Sequence, residues 1–210
     1  MSPRAYNLGK RKASAEETRA RIIDASRRIL DSPDGVTAFT IDAVAREADV
    51  ARMTVYYQFG SKMGLLDAIY DDLAARALVP NLPSSMQISD PVAQLRAVVN
   101  TFSTFWATDR LIVRRLRGLA STDPEIGEGI SKRDMWRRGI FTSLVERVAG
   151  NNAGPETKAD LVEMVLVATA FETFDKLADA RGEEDAAELT LRLVAAAFLQ
   201  AGIVIDVAGE

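Results

Sequence analysis

Apolar residues recur every three to four positions along most of the chain, and this spacing predicts α-helices. In the amino-terminal part, Ile22, Ile29 and Leu30 share one face of a first helix, which Ser14 and Glu17 would open as a capping box. No segment shows the strict apolar and polar alternation of a half-buried strand. We therefore expect an all-α protein.

The helices that follow are short and closely spaced. Thr40 is predicted to cap a second helix, residues 48–50 to form a tight turn, and a third helix to occupy about 52–58. Ser61 is predicted to cap a longer fourth helix. Two helices joined by so short a turn cross steeply, and a small residue such as Ala45 lets their backbones approach.

This arrangement is typical of a helix-turn-helix, whose second helix enters the major groove of DNA. On the predicted third helix, Val55 and Phe59 would face the core. The positions left to face the groove are Ala51, Arg52, Met53, Thr54 and Tyr57. The alternative is an ordinary helical hairpin with a core tyrosine.

The carboxyl-terminal part contains three well-marked helix starts, Asp90-Pro91, Asp123-Pro124 and Gly154-Pro155. Proline at the first helical position loses no hydrogen bond that the helix would have made. The predicted helices are about 91–107, 110–120, 124–149, 155–181 and 184–206.

The composition excludes the catalytic groups and metal ligands that depend on Cys or His. The 210 residues include no Cys and no His, so disulfides, thiol nucleophiles, imidazole bases and most transition-metal sites are excluded. Clustered carboxylates near residues 125 and 185 lack the His of di-iron sites, and they are expected at helix amino termini. No glycine-rich phosphate loop or serine elbow is visible. We expect no enzyme, no cofactor and no metal.

The net charge of −4 conceals a basic amino end. Residues 1–63 hold 11 Lys and Arg against 8 Asp and Glu, whereas residues 64–210 hold 15 against 22. Lys10, Arg11 and Lys12 form a basic run that is either a solvated tail or a further DNA contact. The first residues do not resemble a secretory signal, and the longest apolar stretch is too short to span a membrane, so we expect a cytoplasmic protein without membrane partners.

The segment TIDAVAREADVARMTVYYQFGSKMGLLDAI, residues 40–69, resembles the amino-terminal DNA-binding module of the tetracycline-repressor (TetR) family. The family pattern includes T-x-Y-x-x-F-x-S-K-x-x-L-L, and with the first helix the resemblance covers about fifty residues. It implies that Tyr57 and Lys62 contact phosphates, with Tyr56 and Phe59 as packing residues. The rest of the chain matches the family only in helical character and length.

Four positions depart from the family pattern. Asp49 stands where glycine is usual, at a helix end that favours positive φ, which Asp tolerates better than most residues. Ala51 replaces a common Ser and removes a side-chain cap. Met63 stands where an acid is frequent, and Gln58 stands where His is common. Met53 and Gln58 leave the base preference undefined. The residues predicted to contact DNA are Lys10, Arg11, Lys12, Thr40, Ala51, Arg52, Met53, Thr54, Tyr57 and Lys62.

The resemblance implies three parts: a basic flexible arm (1–13), a helix-turn-helix DNA-binding domain with its connector helix (14–80), and a helical-bundle ligand-binding and dimerisation domain (81–210). The last predicted helix is apolar on most of its circumference, so it lies either in the core or against another chain. The resemblance favours a homodimer interface, predicted to contain Leu161, Met164, Val165, Ala168, Leu193, Ala197 and Val204.

Six aromatic residues would either fill the core or line an effector pocket: Phe102, Phe105, Trp106, Trp136, Phe171 and Phe174. The resulting hypothesis is a homodimeric transcription regulator, a repressor that binds a near-palindromic operator in double-stranded DNA and is released by a small apolar or aromatic effector. The alternative is a helical protein-interaction protein, or a DNA-binding protein that needs no effector.

Overall fold

The computed structural model describes residues 3–207, with side chains from Lys12 onward. Over this range the regular structure is entirely helical, as predicted. The helices are α1 (Pro3–Asp31), α2 (Gly35–Ala38), α3 (Ile41–Glu47), α4 (Arg52–Phe59), α5 (Lys62–Met86), α6 (Pro91–Thr108), α7 (Arg110–Thr122), α8 (Pro124–Ala149), α9 (Pro155–Ala168), α10 (Phe171–Arg181) and α11 (Glu183–Gln200).

Helix α1 begins at Pro3, so the prediction that Ser14 opens it is wrong. Ser14 lies inside the helix, where its carbonyl accepts a hydrogen bond from the Thr18 hydroxyl at 2.8 Å. Proline suits a first helical position, and the Ala, Lys and Arg residues before Ser14 favour helix, so the helix extends back through the segment expected to be an arm. The side chains of Lys10 and Arg11 lie outside the described residues.

The chain divides into two compact units, of which the first comprises Met1–Asp72 and Arg115–Gly129. Its core contains Ile22, Leu30 and Val44, all fully buried. The predicted caps are confirmed: the Thr40 side chain accepts a hydrogen bond from the Ala43 amide at 3.1 Å, and the Ser61 hydroxyl accepts one from the Gly64 amide at 3.0 Å. The Arg115 guanidinium also donates to the Leu30 carbonyl.

The second unit comprises Leu73–Arg114 and Ile130–Glu210. Its core includes Leu95, Phe141, Phe174 and Phe198, each less than 2% exposed. Helix α6 starts at Pro91 as predicted, and Asp90 caps it, because its carboxylate accepts a hydrogen bond from the Ala93 amide at 2.7 Å. Helix α5 continues to Met86, past its two prolines and beyond the end that we expect near Leu78 from the sequence.

The prediction of a single helix over 155–181 is wrong, because two non-helical residues, 169 and 170, separate α9 from α10. Ala170 is extended, with ψ of 150°. The Trp106 indole donates to the Thr169 carbonyl at 3.1 Å, and Arg137 donates to the Leu166 carbonyl at 3.3 Å and to the Thr169 hydroxyl at 2.8 Å. Distant side chains therefore satisfy carbonyls that the interrupted helix leaves without backbone donors.

Helix α11 ends at Gln200, short of the predicted residue 206. Gly202 adopts φ of 76°, and the Ile203 amide donates to the Phe198 carbonyl at 2.9 Å, which closes the helix end. Val204, expected on the last helix, lies beyond it and is 83% exposed. Within the described residues, every helix is too short or too polar to cross a lipid bilayer.

Candidate nucleic-acid interface

Helices α3 and α4 are joined by a turn of four residues, 48–51, as the sequence predicts. Ala45 is buried at the helix crossing, and its carbonyl accepts a hydrogen bond from the Val50 amide at 2.9 Å. Asp49 adopts φ of 52°, which confirms the positive φ expected of this position. The turn is therefore short and fixed by its own backbone, as a helix-turn-helix requires.

The conformation of Asp49 leads to a stability prediction. Glycine has no Cβ and adopts positive φ without penalty, so Asp49→Gly should raise the free energy of unfolding by about 0.5–1 kcal/mol. Asp49→Ala should lower it by about 1 kcal/mol, because alanine lacks the local polar contacts that help Asp in this region. Urea unfolding of both variants measures the effect; an alanine variant more stable than the glycine variant would contradict it.

The outer face of α4 is exposed to solvent. Met53 is 72% and Tyr57 is 88% exposed, whereas Val55, on the opposite face, is fully buried. Thr54 is half-buried and lines a shallow surface depression together with Met53, Tyr56 and Tyr57. The structure thus places most of the predicted groove-facing residues on one face. We call the surface formed by Arg52, Met53, Thr54 and Tyr57 the reading surface.

Arg52, the first residue of α4, is held at two points. Its Nη1 donates to Asp42 Oδ2 at 3.1 Å, and its Nη2 donates to the Tyr56 hydroxyl at 3.3 Å. The Tyr56 hydroxyl, followed by the Asp42 charge, raises the pKa of the Arg52 guanidinium above its ordinary value. From the sequence, Tyr56 is expected only to pack, and Asp42 has no expected role. The four-residue spacing of Arg52 and Tyr56 could have suggested their contact.

The carboxyl end of α4 is fixed by α1. Arg19 Nη1 donates to the Gln58 carbonyl at 3.1 Å, and the Arg19 guanidinium lies 4.5 Å from the centroid of the Phe59 ring. The Gln58 side-chain amide donates back to the Ala15 carbonyl at 3.3 Å. These contacts join residues about 40 positions apart, so no local pattern predicts them.

The remaining predicted DNA contacts differ in their exposure and in the contacts that they make. Lys62 is half-buried, with its ammonium nitrogen 5.8 Å from the centroid of the Phe39 ring. Thr40 is exposed but uses its side-chain oxygen in the cap of α3. Ala51 is exposed and gives α4 no side-chain cap, as expected. Lys12 is exposed and lies 3.9 Å from the carboxylate of Glu16.

The helix pair itself is not basic. Residues 40–59 contain three acidic side chains, Asp42, Glu47 and Asp49, and only two basic ones, Arg46 and Arg52. Arg28 of α1 pairs with Glu47 at 2.8 Å. Arg52 is the charged residue of the reading surface, and it is paired with Asp42. The basic side chains of this region belong mainly to α1, and not to α3 and α4.

In the second unit, five of the six predicted pocket aromatics are buried. The Trp106 ring centroid lies 4.8 Å from that of Phe105 and 5.6 Å from that of Phe171. Phe102 lies 6.3 Å from Trp136, which is 53% exposed. The structure thus joins these five rings into one cluster that reaches the surface at Trp136, and Phe174 is buried in the same unit.

The residues predicted at a dimer interface fall into two groups. Leu161, Val165, Ala168 and Ala197 are buried within the chain itself, whereas Met164, Leu193 and Val204 are exposed. Sequence reasoning overlooked two exposed apolar residues on the same helices, Val167 and Leu199. Helices α9 and α11 form a groove lined by Glu163, Met164, Val167, Ala168, Thr173, Leu193, Ala196, Ala197 and Gln200.

Residues 22–69 match the family model described as bacterial regulatory proteins, tetR family. The chain is 46% identical over 57 residues to the HTH-type transcriptional regulator SrpR of Pseudomonas putida, a match that covers 27% of this chain and 26% of SrpR. It is 35% identical over 115 residues to AlkX of Mycobacterium tuberculosis, covering 53% of each chain. The chain thus spans from about a quarter to about half of the length of the curated relatives that it matches.

Solved structures resemble the chain over most of its length. A TetR transcription regulator from Haloarcula marismortui superposes with a TM-score of 0.66 at 17% identity, covering 86% of this chain and 98% of that one. NalD, the secondary repressor of the MexAB-OprM multidrug efflux pump in Pseudomonas aeruginosa, gives a TM-score of 0.60 at 19% identity, covering 86% and 96%. At these identities the likeness concerns the fold.

Proposed function

We propose that this chain is a member of the tetR family of bacterial regulatory proteins and a sequence-specific DNA-binding regulator that represses transcription. The observation that carries the proposal is the solvent-exposed outer face of α4, which follows the tight turn at residues 48–51. A helix-turn-helix presents the first residues of its second helix to base edges. Arg52 suits a guanine, the exposed Met53 offers apolar contact to a thymine methyl group, and the exposed Tyr57 can contact a phosphate.

A helical protein-interaction module is the rival function. It would account for the helices but not for an exposed Arg52 and a half-buried Thr54 on the same short helix, together with Lys62 and a basic α1. A gel-shift titration against random duplex DNA at two salt concentrations separates the two functions, because contact with phosphates makes affinity fall with salt. Selection from a random duplex pool then yields the preferred site. Failure to shift any duplex at low salt would contradict DNA binding.

The proposed active form is a homodimer assembled through α9 and α11. In support, Met164, Val167, Leu193 and Leu199 are exposed apolar residues on these two helices. Apolar side chains grouped on a surface mark interaction sites in otherwise polar proteins. A two-fold dimer carries two reading surfaces, so its operator would be a near-palindrome with half-sites about one helical turn apart, or a multiple of it.

The proposed effector is a small apolar or aromatic molecule that binds among the aromatic residues of the second unit. In support, Phe102, Phe105, Trp106 and Phe171 form a ring cluster, in which the Trp106 indole donates to the Thr169 carbonyl. Flat apolar molecules suit such surroundings. NalD represses a multidrug efflux pump, and apolar effectors would be consistent with a similar role for this chain.

Effector binding should weaken operator binding. A coupling of about 1–3 kcal/mol corresponds to a loss of about 5- to 150-fold in operator affinity, and linkage requires the operator to weaken the effector by the same factor. The measurement screens compounds for a rise in Tm and then titrates each hit with and without the selected duplex. If every stabilising compound binds equally in both conditions, the proposed control by an effector fails. A Trp106→Phe variant tests whether hits bind the aromatic cluster.

A further inference from the structure

We propose that Asp42 determines base specificity by positioning Arg52, with Tyr56 as the second positioning residue. The inference rests on the proposed DNA-binding function and adds two residues that the sequence-based contact set does not contain. Asp42 belongs to α3 and Arg52 begins α4, so their 3.1 Å ion pair joins the two helices at the edge of the reading surface. Tyr56 supports the guanidinium from within α4.

The contacts leave Arg52 able to read a base. A guanidinium has five N–H donors in a fixed planar fork. Asp42 uses one donor on Nη1 and Tyr56 uses one on Nη2, so one donor on each terminal nitrogen and the Nε donor are left for DNA. A bidentate contact to O6 and N7 of guanine needs two. The two partners therefore restrict the rotamers of Arg52 without consuming the donors that recognition requires.

The same arrangement suppresses indiscriminate binding. The side chain of Asp42 is 66% exposed, next to an arginine that is 56% exposed. Its negative charge opposes the approach of phosphates and offsets the charge of Arg52, which leaves Arg52 little net attraction for a backbone of any sequence. A carboxylate at this edge therefore lowers affinity for random DNA, while the oriented guanidinium retains its contact with one base. Specificity, a ratio of these affinities, rises on both counts.

The test compares wild type with Asp42→Asn, Arg52→Ala and the double variant on three kinds of duplex. These are the site selected from a random pool with wild-type protein, the same site with each guanine replaced in turn, and random DNA. Glu47→Gln is the matched control, because it removes the same charge from the same helix but its partner is Arg28. Tyr56→Phe removes only the second contact, and urea unfolding verifies that each variant is folded.

Asp42→Asn should raise affinity for random duplex by about two- to fivefold at low salt. It should also reduce discrimination at one guanine position by about fivefold or more. In the Arg52→Ala background, Asp42→Asn should leave base discrimination unchanged, because it acts through Arg52. Glu47→Gln should not alter discrimination at that guanine, and Tyr56→Phe should alter it in the same direction as Asp42→Asn but less.

Three results would overturn the inference while leaving DNA binding intact. In the first, Asp42→Asn discriminates between bases as well as wild type does. In the second, Glu47→Gln reduces discrimination at the same guanine as much as Asp42→Asn does. In the third, Asp42→Asn still changes the base preference in the Arg52→Ala background. The last would mean that Asp42 contacts a base directly, for example the amino group of cytosine. Wild-type protein that selects no sequence from the pool would instead contradict the proposed function itself, and the inference with it.

Discussion

Replacing Arg52 by Ala should weaken binding to the preferred duplex by about 1–3 kcal/mol, with at most about a twofold loss on random DNA. Arg52 opens α4 and keeps unused donors on its guanidinium, so its loss removes a contact that depends on the base. Competition titrations with the selected and random duplexes measure both affinities. Equal losses on the two duplexes would contradict a base-reading role.

Lys62→Ala provides the contrast, because Lys62 is proposed to hold a phosphate. Its loss should weaken all duplexes similarly and reduce the slope of log affinity against log salt by about one. Lys62 lies 5.8 Å from the Phe39 ring, so the variant also loses a cation–π contact, and its stability must be compared with that of wild type. An unchanged salt slope in a folded variant would remove Lys62 from the phosphate contacts.

Met164, Val167, Leu193 and Leu199 form an exposed apolar strip on α9 and α11. A charge placed on this strip should separate the proposed dimer. Leu193→Asp introduces a carboxylate at a side chain that is 43% exposed in the single chain. Burial of that unpaired charge between two chains would cost several kcal/mol, enough to yield monomers at micromolar concentration. Light scattering measures the mass, and a gel shift on the selected duplex should show a parallel loss of affinity.

The choice of position matters in this experiment. Ala197 is 3% exposed within its own chain, so Ala197→Asp would destabilise the monomer whether or not a dimer forms. Met135 is the matched control: it lies on α8, outside the strip, and is 70% exposed. A folded Leu193→Asp protein that remains dimeric would place the interface elsewhere, and a monomeric Met135→Asp protein would place it on α8.

The sequence was sufficient for features that depend on a few neighbouring residues. Thr40 and Ser61 cap their helices through amides three positions later, and Asp49 adopts its positive φ between two short helices. The burial of Val55 and the exposure of Tyr57 follow from two positions on opposite sides of a short helix. Local hydrogen bonding and helical periodicity decide these features, so the helix-turn-helix could be predicted.

Two helix ends were predicted wrongly because the local sequence there contains a second, competing signal. Ser14 and Glu17 form a capping-box pattern, but the helix runs through them from Pro3 because the residues on both sides favour helix. The end of α11 was misplaced for a similar reason: apolar residues continue to Val207, although Gly202, with φ of 76°, ends the helical segment earlier. In both cases a second local preference outweighed the one used for prediction.

Only the tertiary structure decided which partners distant residues have. The interruption of the helix between α9 and α10 depends on Trp106 and Arg137. Their side chains donate hydrogen bonds to the carbonyls of Thr169 and Leu166, more than 25 residues away. The burial of Leu161 and Val165, beside the exposure of Met164 and Val167, depends on how α9 packs against other helices. The pairing of Arg52 with Asp42 depends on the crossing of α3 and α4. Periodicity identifies an apolar face, but the direction and partner of each side chain are set by packing between elements that are far apart in the sequence.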